Sequence, residues 1–283
     1  MIGKTRHPGE TEISWDKSVG RARGVLVQLP ASGRFKHARR APSPDLAPWI
    51  DHYWIVSWDL PALTSHLVET LPHPNVHLVI EESGSYISGV HTSKFSRVLE
   101  GSSRVFGIKF CVGAFRPVLG YSVAKVANRT LLATSVFGES FRAFERKVLS
   151  SCADDQKIEA ANAFFRARLP KPDSTAELAR KLVAMILDDA GTRSVGDLCT
   201  RSGISQRTLQ RIFREYVGAT PKWVIRRYRL HELVEMVNSG KSLDWAQVAL
   251  DLGYFDQAHL INDFRSLVSC SPGRYRQVIA NPS

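Results

Sequence analysis

Gln206, Arg207, Thr208, Gln210, Arg211 and Arg214 crowd into one short stretch of this 283-residue chain. An arginine can donate two parallel hydrogen bonds to O6 and N7 of a guanine, and a glutamine can pair with N6 and N7 of an adenine. On the outward face of one helix such a set could read base edges in a major groove. A second, less charged set follows: Gln257, Ala258, His259, Ile261 and Asn262, with Asp263 beside them and no Lys or Arg before Arg265. A charged helix face is by default only a solvated face. The elements around these residues therefore decide what they do.

Those elements repeat. The first copy reads Ser194-Val195-Gly196-Asp197-Leu198-Cys199, then Ser202-Gly203-Ile204-Ser205, then Leu209-Gln210-Arg211-Ile212-Phe213. The second reads Ser242-Leu243-Asp244-Trp245-Ala246-Gln247-Val248-Ala249, then Leu252-Gly253-Tyr254, then Leu260-Ile261-Asn262-Asp263-Phe264. Each has a polar N-cap, an apolar stripe at helical spacing and a glycine where a tight turn tolerates positive φ. Ser205 is placed to cap the helix after the first turn, and Asp256 the one after the second. The pattern is a helix-turn-helix written twice, with a helical connector over 222–238. In the connector, Trp223, Leu230, Leu233, Val234 and Val237 form the apolar stripe. Lys222, Arg226, Arg227 and Arg229 are candidates for phosphates, and some of them for pairing with Glu232 or Glu235.

This region resembles the DNA-binding domain of AraC/XylS-type transcriptional regulators. The resemblance rests on Gly203-Ile204-Ser205, Leu209-Gln210-Arg211-Ile212-Phe213, Gly218, Pro221, Arg229-Leu230, Val248-Ala249, Gly253-Tyr254, Leu260, Phe264 and the closing Ser271-Pro272-Gly273-Arg274-Tyr275-Arg276. It implies that Ser205, Gln206, Arg207, Thr208, Gln210, Arg211 and Arg214 face DNA from the first copy. Gln257, Ala258, His259, Ile261 and Asn262 do so from the second, with Arg226 and Arg227 on phosphates. Arg229 matches a position that is structural in that family. Asp263 either repels a nearby phosphate or pairs with an arginine inside the fold. The first copy is expected to carry most of the direct readout.

The bulk numbers agree with a polyanionic partner without locating it. Net charge is +11, yet residues 190–283 hold 13 Lys/Arg against 8 Asp/Glu, so the excess is spread along the chain. The cysteines Cys111, Cys152, Cys199 and Cys270 form no CxxC pair, which argues against a structural zinc and for a reduced, cytoplasmic protein. No apolar run reaches transmembrane length, and no signal-peptide core is evident near the N-terminus.

Residues 1–47 mix basic residues with Gly and Pro and read as a poorly structured arm, apart from a short strand over 25–29. From Pro48 the pattern turns to strands: Tyr53-Trp54-Ile55-Val56-Ser57-Trp58, then 76–80, 86–90 and 105–110. Gly113 begins a turn into a short helix. This segment resembles the β-rich domain of unknown function found on many AraC-type regulators, on Tyr53-Trp54, Leu71-Pro72-x-Pro74, Leu78-Val79-Ile80-Glu81, Gly107-x-x-Phe110 and Gly113-Ala114-Phe115-Arg116-Pro117. Val112 stands where that family usually has proline. The resemblance implies a sensing or dimerising module. Alternation puts Trp54, Val56 and Trp58 on one face of their strand, where they either fill a core or line an effector pocket with His77 and Phe110. Residues 140–190 read as a helical linker, with Ser174 capping its last helix.

An enzyme is the main rival. His66, Glu69, His73, His77, Glu81 and His91 could be drawn into a metal site, but no helix aligns them, and no phosphate loop, nucleophile elbow or HExxH motif occurs. A repair protein sharing the same reader would need a cysteine cluster near the N-terminus, whereas the first cysteine here is Cys111. A constitutive architectural DNA binder with a dimerisation-only domain stays open.

The expected fold is α+β: a β-rich sensor-like domain over 48–139, a linker over 140–190 and an all-α domain with two helix-turn-helix motifs over 191–283. The expected partners are double-stranded DNA, a small-molecule effector, RNA polymerase and a second copy of the chain. No membrane, cofactor, metal or catalytic residue is expected.

Overall fold

The computed structural model describes residues 2–7, 10–20, 24, 26, 33–188, 191–240 and 242–280, with 2–7, 10 and 278–280 as backbone only. The strands are β1 (Ile2–His7), β2 (Glu10–Asp16), β3 (Arg34–Arg40), β4 (Ile50–Asp59) and β5 (Ser65–Thr70). They continue with β6 (His77–Glu81), β7 (Tyr86–Ser88), β8 (Phe95–Glu100), β9 (Ser102–Phe110) and β10 (Thr130–Leu132). Eight of them form one sheet in the order β1-β2-β3-β4-β9-β6-β7-β10, and β5 pairs with β8 as a separate ribbon. All pairings are antiparallel except that of β2 with β3.

Strand alternation sorts two cores. From β4, Tyr53 and Ile55 face a large cluster with Phe106, Ile108 and Phe110. Trp58, from the other face, joins Phe35, Leu60, Val79, Leu99 and Val105, with Trp54 and Val56 partly buried beside them. The alternation expected for 53–58 is thus the one observed.

The reading of 1–47 as a poorly structured arm is corrected. β3 pairs with β4 from Arg34↔Asp59 to Arg40↔Tyr53, and β2 extends the sheet beyond it. Within this segment Ala38, Thr11 and Ser14 are buried. Local composition hid these strands because they are stabilised by pairing with a distant aromatic strand. Apart from Leu26, the strand expected over 25–29 lies outside the described residues.

The helices are α1 (Phe115–Leu119), α2 (Ala133–Phe137), α3 (Phe141–Ser150), α4 (Asp154–Arg166), α5 (Ser174–Asp188) and α6 (Val195–Ser202). α7 (Gln206–Ile212) runs into a π-helical turn at Phe213–Val217. It is followed by α8 (Pro221–Asn238), α9 (Trp245–Asp251), α10 (Gln257–Val268) and α11 (Pro272–Ala280). The 140–190 linker is corrected too. Phe141, Phe144, Phe164 and Phe165 of α3 and α4 belong to the core of the sheet domain, Phe141 stacked on Phe137, Phe144 on Phe164, and Phe165 edge-on to Phe137. The Tyr53 hydroxyl donates to Asn162 Oδ1 of α4 at 2.8 Å. α5 faces the reader, where Ala179, Leu182, Val183 and Ile186 pack with Leu198, Leu209 and Phe213. Asp173, rather than Ser174, accepts the N–H groups of Thr175 and Ala176 at its start.

Candidate nucleic-acid interface

Capping fixes where each reader helix begins. Ser194 Oγ accepts the Asp197 N–H at 3.0 Å and starts α6. Gly203 ends it in the left-handed region at φ 69°, so a side chain there would be strained. Ser205 Oγ accepts the Thr208 N–H at 3.4 Å and donates to Thr208 Oγ1 at 3.1 Å. The second copy repeats the plan with different atoms. Asp244 caps α9 through the Ala246 and Gln247 N–H groups, Gly253 turns at φ 71°, and Asp256 Oδ1 accepts the His259 N–H at 2.7 Å.

The inward residues then determine the outward face. Leu209 and Ile212 are buried, with Phe213 behind them. Gln206, Arg207, Gln210, Arg211 and Arg214 are exposed, and Thr208 is half-buried. The structure therefore leaves six of the seven first-copy residues exposed, with Thr208 half-buried, and gives Ser205 a capping task as well. In α10, Leu260, Asp263 and Phe264 point inward. Gln257, Ala258, His259 and Asn262 are exposed, whereas Ile261 is partly buried against the domain core. The His259 ring meets Tyr254 edge-on at 5.2 Å.

One open alternative about charge is decided and one expectation is corrected. Asp263 does not face a phosphate. It is buried, accepts the Tyr254 hydroxyl at 2.7 Å and forms an ion pair with Arg226. Arg226 is thereby committed to the fold, although its side chain is half-exposed. Arg227 is not at the surface at all: it is 2% exposed. Its Nε donates to the Pro72 carbonyl oxygen at 2.7 Å, and among the described residues both terminal nitrogens lack a hydrogen-bond partner. Burial lowers its pKa to about 9, so it still carries charge at neutral pH. Arg229 has the structural place its motif position implied: it donates to the Arg193 carbonyl oxygen and lies over Tyr254 at 5.3 Å.

The reason lies in α8, which is buried nearly all round, by Val224, Ile225, Arg227, Tyr228, Leu230, His231, Leu233, Val234 and Val237. It packs on the first copy through Val224, Ile225 and Tyr228, and on the second through Leu230, Leu233, Val234 and Val237. Its third neighbour is the sheet domain. Leu71 and Leu26 share a cluster with the second copy, and the Tyr275 hydroxyl donates to the Leu26 carbonyl oxygen at 3.1 Å. His73 and His231 rings lie 4.6 Å apart. Ser122 Oγ donates to the Arg214 carbonyl oxygen at 3.0 Å, and Arg116 lies 3.9 Å from Glu215. None of this domain seam was legible from a single apolar stripe.

The four candidate pocket residues do not converge. Trp54, Trp58 and His77 share one face of the sheet, and Phe110 lies on the other, against Phe115 and Phe165. Trp54 Nε1 donates to His77 Nδ1 at 3.2 Å. Trp58 is close-packed, with Nε1 donating to the Glu100 carbonyl oxygen at 3.1 Å and Arg97 over its ring at 5.3 Å. The rival metal set is dispersed as well: Glu69 meets Lys94 and Ser96, Glu81 meets Arg97, and His73 meets His231.

A family model described as a helix-turn-helix domain matches residues 198–278, the stretch containing both capped turns and α8. The C-terminal domain is of the AraC type. A second model, a domain of unknown function (DUF6597), matches residues 38–132, from within β3 to β10. The "Putative HTH-type transcriptional regulator YkgA" of Escherichia coli (strain K12) is 32% identical over 84 residues, 29% of this chain and 34% of that protein. The "Probable transcription factor PqrA" of Proteus vulgaris is 28% identical over 83 residues, 29% of this chain and 67% of that protein. The chain thus spans about a third of the length of the Escherichia coli relative. Among solved structures, ToxT from Vibrio cholerae aligns with 87% of this chain and 98% of its own, at 13% identity and a TM-score of 0.38. No helix among the described residues is long and apolar enough to cross a membrane.

Proposed function

We propose that this chain is a sequence-specific DNA-binding transcriptional regulator whose AraC-type domain reads two adjacent major-groove segments. The observation that carries the reading is the paired motif: two capped reader helices on one rigid α8, with Gln206, Arg207, Gln210 and Arg211 exposed on the first. Arg207 and Arg211 read guanines and Gln210 an adenine, while Lys222, exposed on α8, meets phosphate. The second copy, with Gln257, Ala258, His259 and Asn262, contributes fewer charge-assisted contacts. The further partners are a small effector, RNA polymerase and a second copy of the chain, in the cytoplasm.

The seam supports an effector-responsive regulator over a constitutive architectural binder. Pro72, Leu26, Ser122 and Arg116 of the sheet domain touch α8, α11 and the end of the first reader. A ligand with unequal affinity for two arrangements of that seam would change how the readers meet DNA.

The test is selection of bound duplexes from a random library by the full chain, followed by footprinting. Two protected segments on one face, about 34 Å apart, are expected. Uniform recovery of all sequences would end the reading of the chain as a specific regulator.

A further inference from the structure

Phe255 is 88% exposed, beside a Tyr254 that is only 4% exposed. It directly precedes Asp256, whose carboxylate caps α10. The phenyl ring therefore stands at the N-terminal mouth of the second reader helix, the end from which a recognition helix contacts base edges. Exposed Gln257, Ala258 and His259 follow at once, and no Lys or Arg occurs before Arg265. The single buried acid of that helix, Asp263, is already neutralised by Arg226. The exposed residues that follow Phe255 in α10 thus carry no arginine or lysine before Arg265, where the first copy presents Arg207 and Arg211. An aromatic ring left in water at the reading end of a helix lacks an apolar partner within its own fold. The apolar feature of a major groove is the C5 methyl of thymine, and phenylalanine is among the side chains that contact it.

We infer that Phe255 is a base-reading residue of the second motif, packing on the methyl group of one thymine in the operator. This rests on the chain being a specific duplex-DNA binder. The second copy then reads by shape and apolar contact, and the first by hydrogen bonds to bases. The difference follows from their exposed residues.

The test uses the full chain and the duplex that the wild-type protein selects from a random library. Each thymine of the protected site is replaced in turn by uracil, which removes only the methyl. One replacement in the second half-site should weaken wild-type binding about fourfold, the worth of one buried methyl group. Phe255→Ala should weaken binding to the unmodified site by about tenfold and be indifferent to that replacement. Its thermal stability should match wild type, because the ring is exposed. Phe255→Leu should restore part of both effects. Three results would overturn the inference: Phe255→Ala binding within twofold of wild type, an equal loss on every sequence, or a wild-type protein insensitive to every uracil. Unchanged DNA binding with lost transcription would instead make Phe255 a protein-contact residue and likewise overturn it. If the wild-type chain selects no sequence, the regulator reading itself fails, and that outcome is visible before any variant is made.

Discussion

Arg227 of α8 donates its Nε–H to the carbonyl oxygen of Pro72, 155 residues away in the sheet domain, at 2.7 Å. A connector that sequence reading assigned to phosphates instead inserts its guanidinium into the seam between sensor and reader. Among the described residues no carboxylate lowers the cost of that burial, and both terminal nitrogens lack a hydrogen-bond partner. Taking an ion out of water without a partner costs several kcal/mol. Arg227→Met keeps the length and removes the charge, so stability in urea unfolding should stay level or rise by up to about 2 kcal/mol. Arg227→Ala should lower it by about 2 kcal/mol or more through the cavity it leaves. A large loss in the methionine variant would mean that the charge is compensated in the seam.

Asp263 and Arg226 make a contrasting pair. The acid is buried and held by Tyr254 and Arg226, while the arginine reaches water. Arg226→Ala strands a buried carboxylate and should cost about 3–5 kcal/mol. Asp263→Ala frees an arginine that can hydrate, and should cost less. The double variant should be more stable than the sum of the two losses, measured as a double-mutant cycle in urea. Tighter non-specific DNA binding by Asp263→Asn, without loss of stability, would restore the phosphate-repelling reading.

Arg207 and Arg211 are exposed beside Gln210 on α7. Replacing either by alanine should weaken specific DNA binding by about 1–3 kcal/mol in titrations at fixed salt. Unfolding free energy should change by less than about 0.5 kcal/mol, because neither side chain is packed. Equal losses on specific and random duplexes would reassign the residue to phosphate.

Trp54 lies flat across Gly107, and a Cβ at that position would collide with the indole. Gly107→Ala should therefore displace Trp54 and break its hydrogen bond to His77. A loss of about 1–3 kcal/mol and a shift of tryptophan emission are expected. Trp54→Ala in the same chain should relieve the clash, giving a positive coupling between the two changes.

His37, His52 and His77 share one sheet face. Burial lowers their pKa values to about 4, 4 and 3, helped by Arg39 at His37, by Lys109 and Arg39 at His52, and by Lys109 at His77. At His52 the bond to Asp51 works the other way. The unfolded chain takes up these protons near pH 6.5 and the folded chain only near 3–4. Stability from this face is therefore full above pH 6.5 and is lost as pH falls toward 4. About 1 kcal/mol per ring should be gone by pH 5.5, read from urea midpoints across pH 5–8. His77→Asn should flatten that slope.

Local rules of short range were readable in the residues themselves. The caps Ser205 and Asp256, the turns at Gly203 and Gly253, and the inward stripe Leu209, Ile212, Leu260 and Phe264 depend on neighbours within a few positions. The same holds for the alternation along Tyr53–Trp58 and the open face of Arg207, Gln210 and Arg211. What depended on distant segments was not readable. β2 and β3 are held by β4, so their composition alone looked like a solvated arm. α3 and α4 packed their phenylalanines onto the sheet rather than bridging two domains. α8 is buried on three sides, and its short apolar stripe does not show which of its arginines is inside. Sequence placed Arg226, Arg227 and Arg229 on one helix. Only tertiary packing sent one to Asp263, one to Pro72 and one to Arg193, because the partner that decides each lies in a different part of the chain.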